Sequence, residues 1–458
     1  MASVPLTRQA AQALDSQYPS HAHLFAIPTL ASLGLTKPTS GTQDSSSPSI
    51  YFCGNSLGLM PKATRAAVDA ELNAWAARGV VAHFRRNDAT GDGLEPWVSI
   101  DKPLAPLLAA VVGADGEDEV AAMNTLTGNL HTLLAAFYKP TQARYKILFE
   151  DKAFPSDLYA FQGQAEMHGL NPETALVPLK PRVGEYTLRT EDILAAIDEH
   201  KDSLAAVVFS GIQFYTGQYF DMETITSYAH AASPDIVVGW DLAHAAGNVD
   251  VRLHDWGVDF ACFCSYKYLN SGPGGIGGIF VHRKHAKDKR ARQAGWWGNN
   301  ESTRFAMLPD FDAIPGAQGF RMSNPSVLNT VCLYESLKLF EKAGGIGVLR
   351  ARSISMTTFL YRLLAESKFY VPVTEFDEDK KPSFTIITPE DPVQRGAQLS
   401  LLFSRDTMEH VFEELDARGI IGDERRPSVI RLAPNHFYNT HEEVYQVVKA
   451  LNEIMSGL

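Results

Sequence analysis

Residues 260–275 read Phe-Ala-Cys-Phe-Cys-Ser-Tyr-Lys-Tyr-Leu-Asn-Ser-Gly-Pro-Gly-Gly. The apolar start of this stretch, Phe260–Ser265, is typical of a buried strand, and the glycines after Asn270 are typical of a turn. Lys267 is therefore expected just beyond the end of a strand. A second apolar run, Ile236–Trp240, ends at Asp241. We expect the amine and the carboxylate to emerge at the carboxyl edge of one sheet, where ligands gather in α/β proteins.

An amine and a carboxylate placed in this way suit pyridoxal phosphate. The aldehyde of this cofactor needs a lysine amine that is kept from water, and its ring nitrogen stays protonated when a carboxylate lies against it. A Ser-x-Lys tripeptide taken alone is more often a surface lysine, so the pairing with Asp241 carries the interpretation. We interpret Lys267 as the cofactor lysine and Asp241 as the partner of the ring nitrogen.

The composition limits the class of protein. A chain of 458 residues with 45% hydrophobic content can bury a large core, and this length favours one large domain plus a smaller one. There are 53 acidic and 41 basic side chains, giving a formal net charge of -12. This charge repels nucleic acid and anionic lipid. We therefore expect a small-molecule ligand, no nucleic-acid partner and no membrane partner.

The cysteines and the first residues indicate the compartment. Four cysteines occur, none of them at the spacing of a metal finger: Cys53, Cys262, Cys264 and Cys332. We expect reduced thiols and no metal site. The segment Met1–Gln9 lacks the apolar core of a signal peptide, and no uninterrupted apolar run reaches the length of a membrane helix. The expected location is the cytoplasm.

Short apolar runs alternate with helical patterns, which predicts an α/β fold with a mostly parallel sheet flanked by helices. The predicted strands are Tyr145–Glu150, Ala205–Ser210, Ile236–Trp240, Phe260–Ser265 and Gly277–Val281. After residue 330 the pattern becomes that of a small α+β domain. Its predicted elements are a helix over Val331–Lys342, strands over Ser383–Thr388 and Leu399–Phe403, and a last helix that begins with a capping box at Thr440.

The sequence predicts three parts. Residues 1–50 form an N-terminal segment that packs with the small domain, residues 51–330 form the large cofactor-binding domain, and residues 331–458 form the small domain. Residues 38–48 are rich in Ser, Thr and Gly, as is usual for a surface insertion, and Glu375–Lys381 is a charged loop.

A phosphate group needs a cluster of donors. The stretch Met123–His131 passes from a polar turn into a helical pattern, so the amides near Leu126 and Thr127 could bind an anion at a helix amino terminus. The alternative is that Thr125 or Thr127 is an ordinary helix cap. Both interpretations stay open on this stretch alone.

Two further segments follow predicted strands. Phe154, Pro155, Ser156 and Asp157 come after the strand that ends at Glu150, and the run Ser210–Gln218 comes after another. Phe154 could stack on an aromatic ring, Asp157 could add a second carboxylate, and Tyr215 could act on phosphate or as an acid. Each could equally be a turn or core residue when considered singly.

The chain resembles the kynureninase family in seven ordered motifs. The resemblance runs from about residue 50 to the end of the chain. The motifs are 51–61 (YFCGNSLGLMP), 154–157 (FPSD), 209–218 (FSGIQFYTGQ), 240–248 (WDLAHAAGN), 265–270 (SYKYLN), 295–298 with 302–305 (GWWG and STRF), and 320–325 (FRMSNP).

The resemblance implies a fold-type-I, pyridoxal-phosphate-dependent enzyme of the class V aminotransferase group. Such an enzyme hydrolyses L-kynurenine or 3-hydroxy-L-kynurenine to L-alanine and anthranilate or 3-hydroxyanthranilate, in tryptophan degradation and de novo NAD biosynthesis. Where some relatives have Gly-His after the tryptophan pair, this chain has Gly298 and Asn299. The resemblance therefore leaves the preference between the two substrates open.

The resemblance also implies roles for individual residues. Lys267 would hold the aldehyde, Asp241 would pair with the ring nitrogen with Asp157 close by, and Phe154 would stack on the ring beside His244. Tyr215 would move a proton, and Arg431 would bind the substrate carboxylate as a fork. The residues implied to contact the phosphate are Leu126, Thr127, Ser210, Tyr266 and Trp296.

A homodimer with shared active sites is implied as well. His83, Ser323 and Asn324 match positions around the aromatic end of the substrate. In related dimers the segments around Trp296 and Asn324 reach the active site of the other subunit.

Two other classes compete with this interpretation. One is another class V enzyme, such as a cysteine desulfurase, a selenocysteine lyase or an aminotransferase. A desulfurase needs a cysteine on a mobile loop and commonly has histidine before its lysine, whereas Tyr266 precedes Lys267 here and no cysteine follows Cys332. The other class is a non-catalytic scaffold, which has no need for Lys267, Asp241 and Arg431 together.

Overall fold

A computed structural model describes residues 5–35, 44–86, 94–380 and 382–458. The predicted surface insertion at 38–48 lies partly outside these ranges, as does Lys381 of the predicted charged loop. The helices in the described ranges are α1 (Arg8–Gln17), α2 (Lys62–Arg78), α3 (Ala105–Val112), α4 (Leu126–Phe137), α5 (Pro155–Met167), α6 (Pro172–Ala175), α7 (Thr190–His200), α8 (Met222–Ala232), α9 (Val327–Lys342), α10 (Ile346–Ala365), α11 (Met408–Ala417) and α12 (His441–Met455).

The strands within the same ranges are β1 (Ile50–Tyr51), β2 (Val120–Ala122), β3 (Lys146–Glu150), β4 (Leu176–Leu179), β5 (Leu204–Ser210), β6 (Val237–Asp241), β7 (Phe260–Phe263), β8 (Gly278–Val281), β9 (Phe384–Ile386), β10 (Leu399–Phe403), β11 (Ile420–Ile421), β12 (Asp423–Arg425) and β13 (Val429–Leu432). The five predicted strands of the large sheet are all present, each within a few residues of its expected ends. No helix in the described ranges has the length and apolarity needed to cross a bilayer.

The large sheet has seven strands in the order β2-β8-β7-β6-β5-β3-β4. Strands β7, β6, β5, β3 and β4 run parallel, while β8 is antiparallel to both β7 and β2. This confirms the predicted α/β class with a mostly parallel sheet. Both faces are covered, because alternate residues of one strand, such as Val207 and Val208, lie in different apolar cores. Burial on two faces explains the nearly continuous apolar runs in the sequence.

The small sheet is antiparallel, in the order β12-β13-β10-β9, and its core includes residues of α10, α11 and α12. Helix α12 begins with the predicted capping box: Thr440 accepts from the Glu443 amide, and the Glu443 side chain accepts from the Thr440 amide. The apolar stripe that contains Val444 and Leu451 is buried, as a helix packed on a core requires.

The N-terminal segment contacts both cores. Ala11, Ile50 and Phe52 lie in the core of the small sheet, β1 pairs in parallel with β11, and Phe25 lies in the core of the large sheet. Helix α9 crosses residue 330, and its residue Leu337 is also in the large core. The division into 1–50, 51–330 and 331–458 stays a prediction.

Candidate active site

Lys267 stands on a turn that its own neighbours hold rigid. Ser265 directs its hydroxyl to the Ile276 carbonyl and contacts the Ser271 hydroxyl, while the Ser271 amide donates to the Ser265 carbonyl over 3.0 Å. Asn270 closes the turn in a left-handed conformation (φ 51°), which asparagine tolerates better than most residues. The turn therefore fixes the lysine just past the end of β7, as the sequence predicts.

The glycine of an N-terminal motif supports this turn from behind. The Gly58 amide donates to the Tyr266 carbonyl over 2.8 Å. A Cβ atom at Gly58 would lie 2.2 Å from the Lys267 carbonyl oxygen, closer than two such atoms can approach. Only glycine fits at this position, which explains why the motif 51–61 belongs to the same site as a lysine about 200 positions later.

Two buried carboxyls face the lysine. Asp241 ends β6 and accepts from the Ala243 amide over 2.6 Å, while Asp157 lies in the first turn of α5 and is hydrogen-bonded to Asp241. Burial raises the pKa of Asp157 well above its usual value, and the neighbouring charge of Asp241 raises it further. Burial also raises the pKa of Asp241. We conclude that the pair shares one proton, which Asp157 carries and donates to Asp241.

His244 completes the polar end of the cavity. Its Nε2 atom lies 3.0 Å from Nζ of Lys267, and burial, followed by the charge of Lys267, holds the pKa of His244 well below its usual value. The imidazole is therefore neutral, and Nε2 accepts a hydrogen bond from the lysine amine. Its Nδ1 atom is buried and has no hydrogen-bond partner among the described residues.

The amino terminus of α4 opens onto the same cavity. Thr125 occupies the N-cap position but makes no side-chain cap hydrogen bond, and Leu126 and Thr127 begin the helix. The alternative that Thr125 is a helix cap is therefore correct for its position, although its hydroxyl makes no cap hydrogen bond. The amides of this twelve-residue helix face a cavity that Leu126 and Thr127 line, which is a favourable place for an anion.

Ten of the predicted site residues line one cavity. They are Leu126, Thr127, Phe154, Ser156, Asp157, Ser210, Asp241, His244, Tyr266 and Lys267. The cavity also has lining residues that the sequence did not single out, Ile212, Phe214 and Ala243. Pyridoxal phosphate fits this donor set: an amine, a carboxyl pair and a helix amino terminus surround the cavity, and Oδ1 of Asp157 is buried without a hydrogen-bond partner among the described residues.

Arg431 approaches the cavity from the small sheet. Its guanidinium forms an ion pair with Asp423 and donates over 2.7 Å to the carbonyl of Phe214, whose ring lies 5.2 Å from that of Phe154. The Arg431 side chain is buried, yet its Nε atom has no hydrogen-bond partner among the described residues. Arg431 is therefore one residue removed from the cavity wall.

Tyr215 lies in a neighbouring cavity together with Glu150, Lys152 and Tyr186. Tyr215 does not line the lysine cavity, whose tyrosine is Tyr266. Its predicted role in proton transfer stays a prediction.

The remaining predicted residues lie outside the cavity of this subunit. Pro155 is exposed at the start of α5, Ser323 is exposed, and Trp296 donates its indole N–H to the Arg304 carbonyl over 2.9 Å. Nδ1 of His83 and Oδ1 of Asn324 are buried without partners among the described residues. Their predicted contacts with cofactor or substrate stay predictions.

Comparison with known proteins identifies the family. The kynureninase of Saccharomyces cerevisiae is 54% identical over 459 residues, covering 97% of this chain and 99% of that protein. The kynureninase of Yarrowia lipolytica is 55% identical over 410 residues, covering 88% and 93%. This chain belongs to the kynureninase family. The family model of the kynureninase C-terminal domain matches residues 349–451, and that of aminotransferase class V matches residues 107–393.

Solved structures support the fold. The cystine C–S lyase C-DES in complex with cysteine persulfide has a TM-score of 0.71 at 17% identity, covering 88% of this chain and 97% of its own. A cysteine desulfurase from Thermococcus onnurineus has a TM-score of 0.70 at 18% identity, covering 90% and 95%. Identity this low shows the fold alone. The desulfurase alternative is not favoured, because the relatives at 50% identity and above are kynureninases.

The proton that Asp157 carries distinguishes the two carboxyls experimentally. Asp157→Asn retains a donor to Asp241, so we expect its affinity for pyridoxal phosphate to stay within about threefold of the unmodified protein. Asp241→Asn removes the buried negative charge and should weaken binding about tenfold or more. Titration of the apoprotein, followed by tryptophan fluorescence, measures both constants. Equal losses in the two variants would contradict the assignment of the proton.

Proposed function

We propose that this protein hydrolyses L-kynurenine, 3-hydroxy-L-kynurenine or both, with pyridoxal 5′-phosphate as its cofactor. The products are L-alanine and anthranilate or 3-hydroxyanthranilate, and the reaction serves tryptophan degradation and de novo NAD biosynthesis. The observation that carries this proposal is the meeting of Lys267, Asp241 and Asp157 in one cavity of a chain that belongs to the kynureninase family.

Several side chains are placed to hold the cofactor. When bound, pyridoxal phosphate withdraws electrons from the α-carbon of an amine substrate, provided that its ring nitrogen stays protonated. Asp241, kept ionised by its proton-sharing partner Asp157, supplies the negative charge for that nitrogen. The exposed ring of Phe154 gives a stacking surface, and Lys267 lies 5.9 Å from its centre. The amides at the start of α4 would bind the phosphate.

Lys267 and His244 would handle the proton on the α-carbon. The lysine amine, once released from the aldehyde, is placed to accept this proton at Nζ. The neutral Nε2 atom of His244 orients the amine by accepting one of its hydrogens over 3.0 Å. Lys267 is only 9% exposed, so water has limited access to the amine.

Arg431 would bind the substrate α-carboxylate. Its buried Nε atom has no hydrogen-bond partner among the described residues, and Nη2, which pairs with Asp423, carries a second hydrogen. A two-bond fork to a carboxylate would use these two nitrogens. The hydrogen bond from Arg431 to the carbonyl of Phe214, a residue of the cavity wall, supports this role. A carboxylate entering from this side would bring the α-carbon of the substrate toward Lys267.

A homodimer would complete the site. Phe84 and Phe305 are exposed with ring centres 5.6 Å apart, and Trp296 lies 5.3 Å from Phe305, so an exposed aromatic patch extends from beside His83 to Trp296. A second copy that covers this patch would bury these rings. It would also give the predicted roles of Trp296, Asn324 and His83 a physical basis, since none of them lines the cavity of its own subunit.

We place the protein in the cytoplasm because its described cysteines are all free.

Kynurenine turnover with and without pyruvate tests the activity. We expect alanine and anthranilate to form at the same rate in both cases, because hydrolysis needs no keto-acid acceptor. Dependence on pyruvate would indicate an aminotransferase instead.

Lys267→Ala should abolish turnover, and borohydride treatment should attach the cofactor to the peptide that contains Lys267 only in the unmodified protein. A Lys267→Ala variant that retains the rate of the unmodified protein would overturn the proposal.

Arg431→Lys should act mainly on substrate binding. A single ammonium cannot form two parallel hydrogen bonds, so we expect KM for kynurenine to rise about tenfold or more with a smaller change in kcat. The matched control is Arg425→Lys, because Arg425 is the second arginine that pairs with Asp423. An unchanged KM in Arg431→Lys would exclude the carboxylate role.

Sedimentation measures the oligomeric state. We expect a particle of twice the 50.3 kDa mass of the chain. Phe305→Glu should place a charge in the aromatic patch and shift the protein toward monomer, whereas Val183→Glu at an exposed position elsewhere should not. A dimer that persists unchanged in Phe305→Glu would show that the patch is not the interface.

A further inference from the structure

A third carboxyl, that of Glu150, is buried beside the site and has no part in the mechanism above. Glu150 ends β3 and is 3% exposed. Among the described residues, its side-chain hydrogen bonds are with Ser210 at the end of β5: the Ser210 hydroxyl lies 2.5 Å from Oε1, and the Ser210 amide lies 3.3 Å from Oε2. Ser210 in turn lines the lysine cavity and is the Cα partner of Asp241.

The hydroxyl of Ser210 has a single hydrogen to donate. When Glu150 is ionised, it can only accept, so the serine hydrogen is directed to Glu150 and the cavity faces oxygen lone pairs. When Glu150 carries a proton, the carboxyl donates to Oγ, and the serine hydrogen is free to point into the cavity. The protonation of Glu150 therefore decides whether Ser210 offers the cavity a donor or an acceptor.

We propose that Glu150 is a positioning residue that turns the Ser210 hydroxyl toward an oxygen of the bound cofactor, so that the cofactor is held most tightly when Glu150 carries a proton. This inference rests on the proposed function only in taking pyridoxal phosphate as the cofactor. The oxygens of that cofactor are mostly anionic, and an anionic oxygen needs a donor and is repelled by lone pairs.

The surroundings of Glu150 favour its neutral form. Burial raises the pKa of Glu150 to about 7, the Ser210 hydrogen bonds lower it in part, and the charge of Asp241 raises it again. Asp157 is the other acidic neighbour on the site side. On the opposite side Glu150 lines the neighbouring cavity, whose other titratable residues are Asp151, Lys152, Lys180, Glu185, Tyr186 and Tyr215.

The neighbouring cavity also gives Glu150 a route to exchange its proton. Lys152 and Tyr186 of this cavity are exposed, so a proton can reach Glu150 without passing through the cofactor site. Below about pH 7 the carboxyl is neutral and Ser210 donates into the site. As the pH rises above this value Glu150 ionises, and Ser210 turns away. Cofactor affinity should therefore fall with rising pH, and by linkage cofactor binding at alkaline pH should take up a proton.

Equilibrium dialysis of the apoprotein against pyridoxal phosphate at pH 6 and pH 9 tests this inference. The readout is the dissociation constant at pH 9 divided by that at pH 6. For the unmodified protein this ratio also reflects the titration of the cofactor and of other groups. In Glu150→Gln the amide donates to Ser210 at every pH, so we expect this ratio to fall about tenfold or more. Ser210→Ala is the matched control: Glu150→Gln added to Ser210→Ala should leave the ratio unchanged.

Two results would overturn the inference. One is a Glu150→Gln variant with the same ratio as the unmodified protein, and the other is an effect of Glu150→Gln that persists in the Ser210→Ala background. Calorimetry in two buffers of different ionisation enthalpy gives an independent measurement should Glu150→Gln fail to fold. It should show more proton uptake on cofactor binding at pH 8 in the unmodified protein than in Ser210→Ala, and equal uptake would also overturn the inference.

The outcomes separate this inference from the proposed function. Kynurenine turnover with no change in the ratio would leave the function intact and remove the role of Glu150. An unmodified protein that binds no pyridoxal phosphate at either pH would remove both.

Discussion

The meeting of Lys267 with Asp241 and Asp157 in one cavity, with all three side chains buried, governs the rest of the site. Burying an ionised group away from water is costly unless an opposite charge or a hydrogen bond compensates for it. Here one shared proton leaves a single negative charge on the aspartate pair. The surrounding elements maintain this arrangement: His244 stays neutral, and the turn after β7 keeps the lysine amine in place.

The small sheet contacts the site through hydrogen bonds from its side chains to backbone carbonyls of the loop after β5. Arg431 on β13 donates to the carbonyl of Phe214, and Ser400 on β10 donates to the carbonyl of Tyr215 over 2.6 Å. The loop after β5, which carries both residues, is thus held from the small sheet as well as from the large one. Because the same loop contributes Phe214 to the cavity wall, a shift of the small sheet would change the shape of the cavity directly.

Much of this arrangement could be predicted from sequence, because parallel strands carry their chemistry at one edge. Once Ile236–Trp240 and the run from Phe260 are recognised as strands, Asp241 and Lys267 must lie near each other, and Ser210 follows by the same argument. Glu150 could not be recognised in this way. In the sequence Glu150 is an ordinary residue at the end of a strand. Only the sheet shows that Ser210, 60 positions later, contacts its carboxyl. The positions of Arg431 and Tyr215 depend on how the small sheet packs against a loop of the large one, and no local pattern encodes that packing.

The first and last helices of the chain are partners. Helix α1 packs on α12, where Arg8 and Gln12 bond to Glu442 and Asp15 accepts from the amide and ring of His441. The bond between Arg8 and Glu442 joins residues that are 434 positions apart in the sequence. Closing so long a loop costs chain entropy before the contact can compensate for it, so we expect this helix pair to form late in folding.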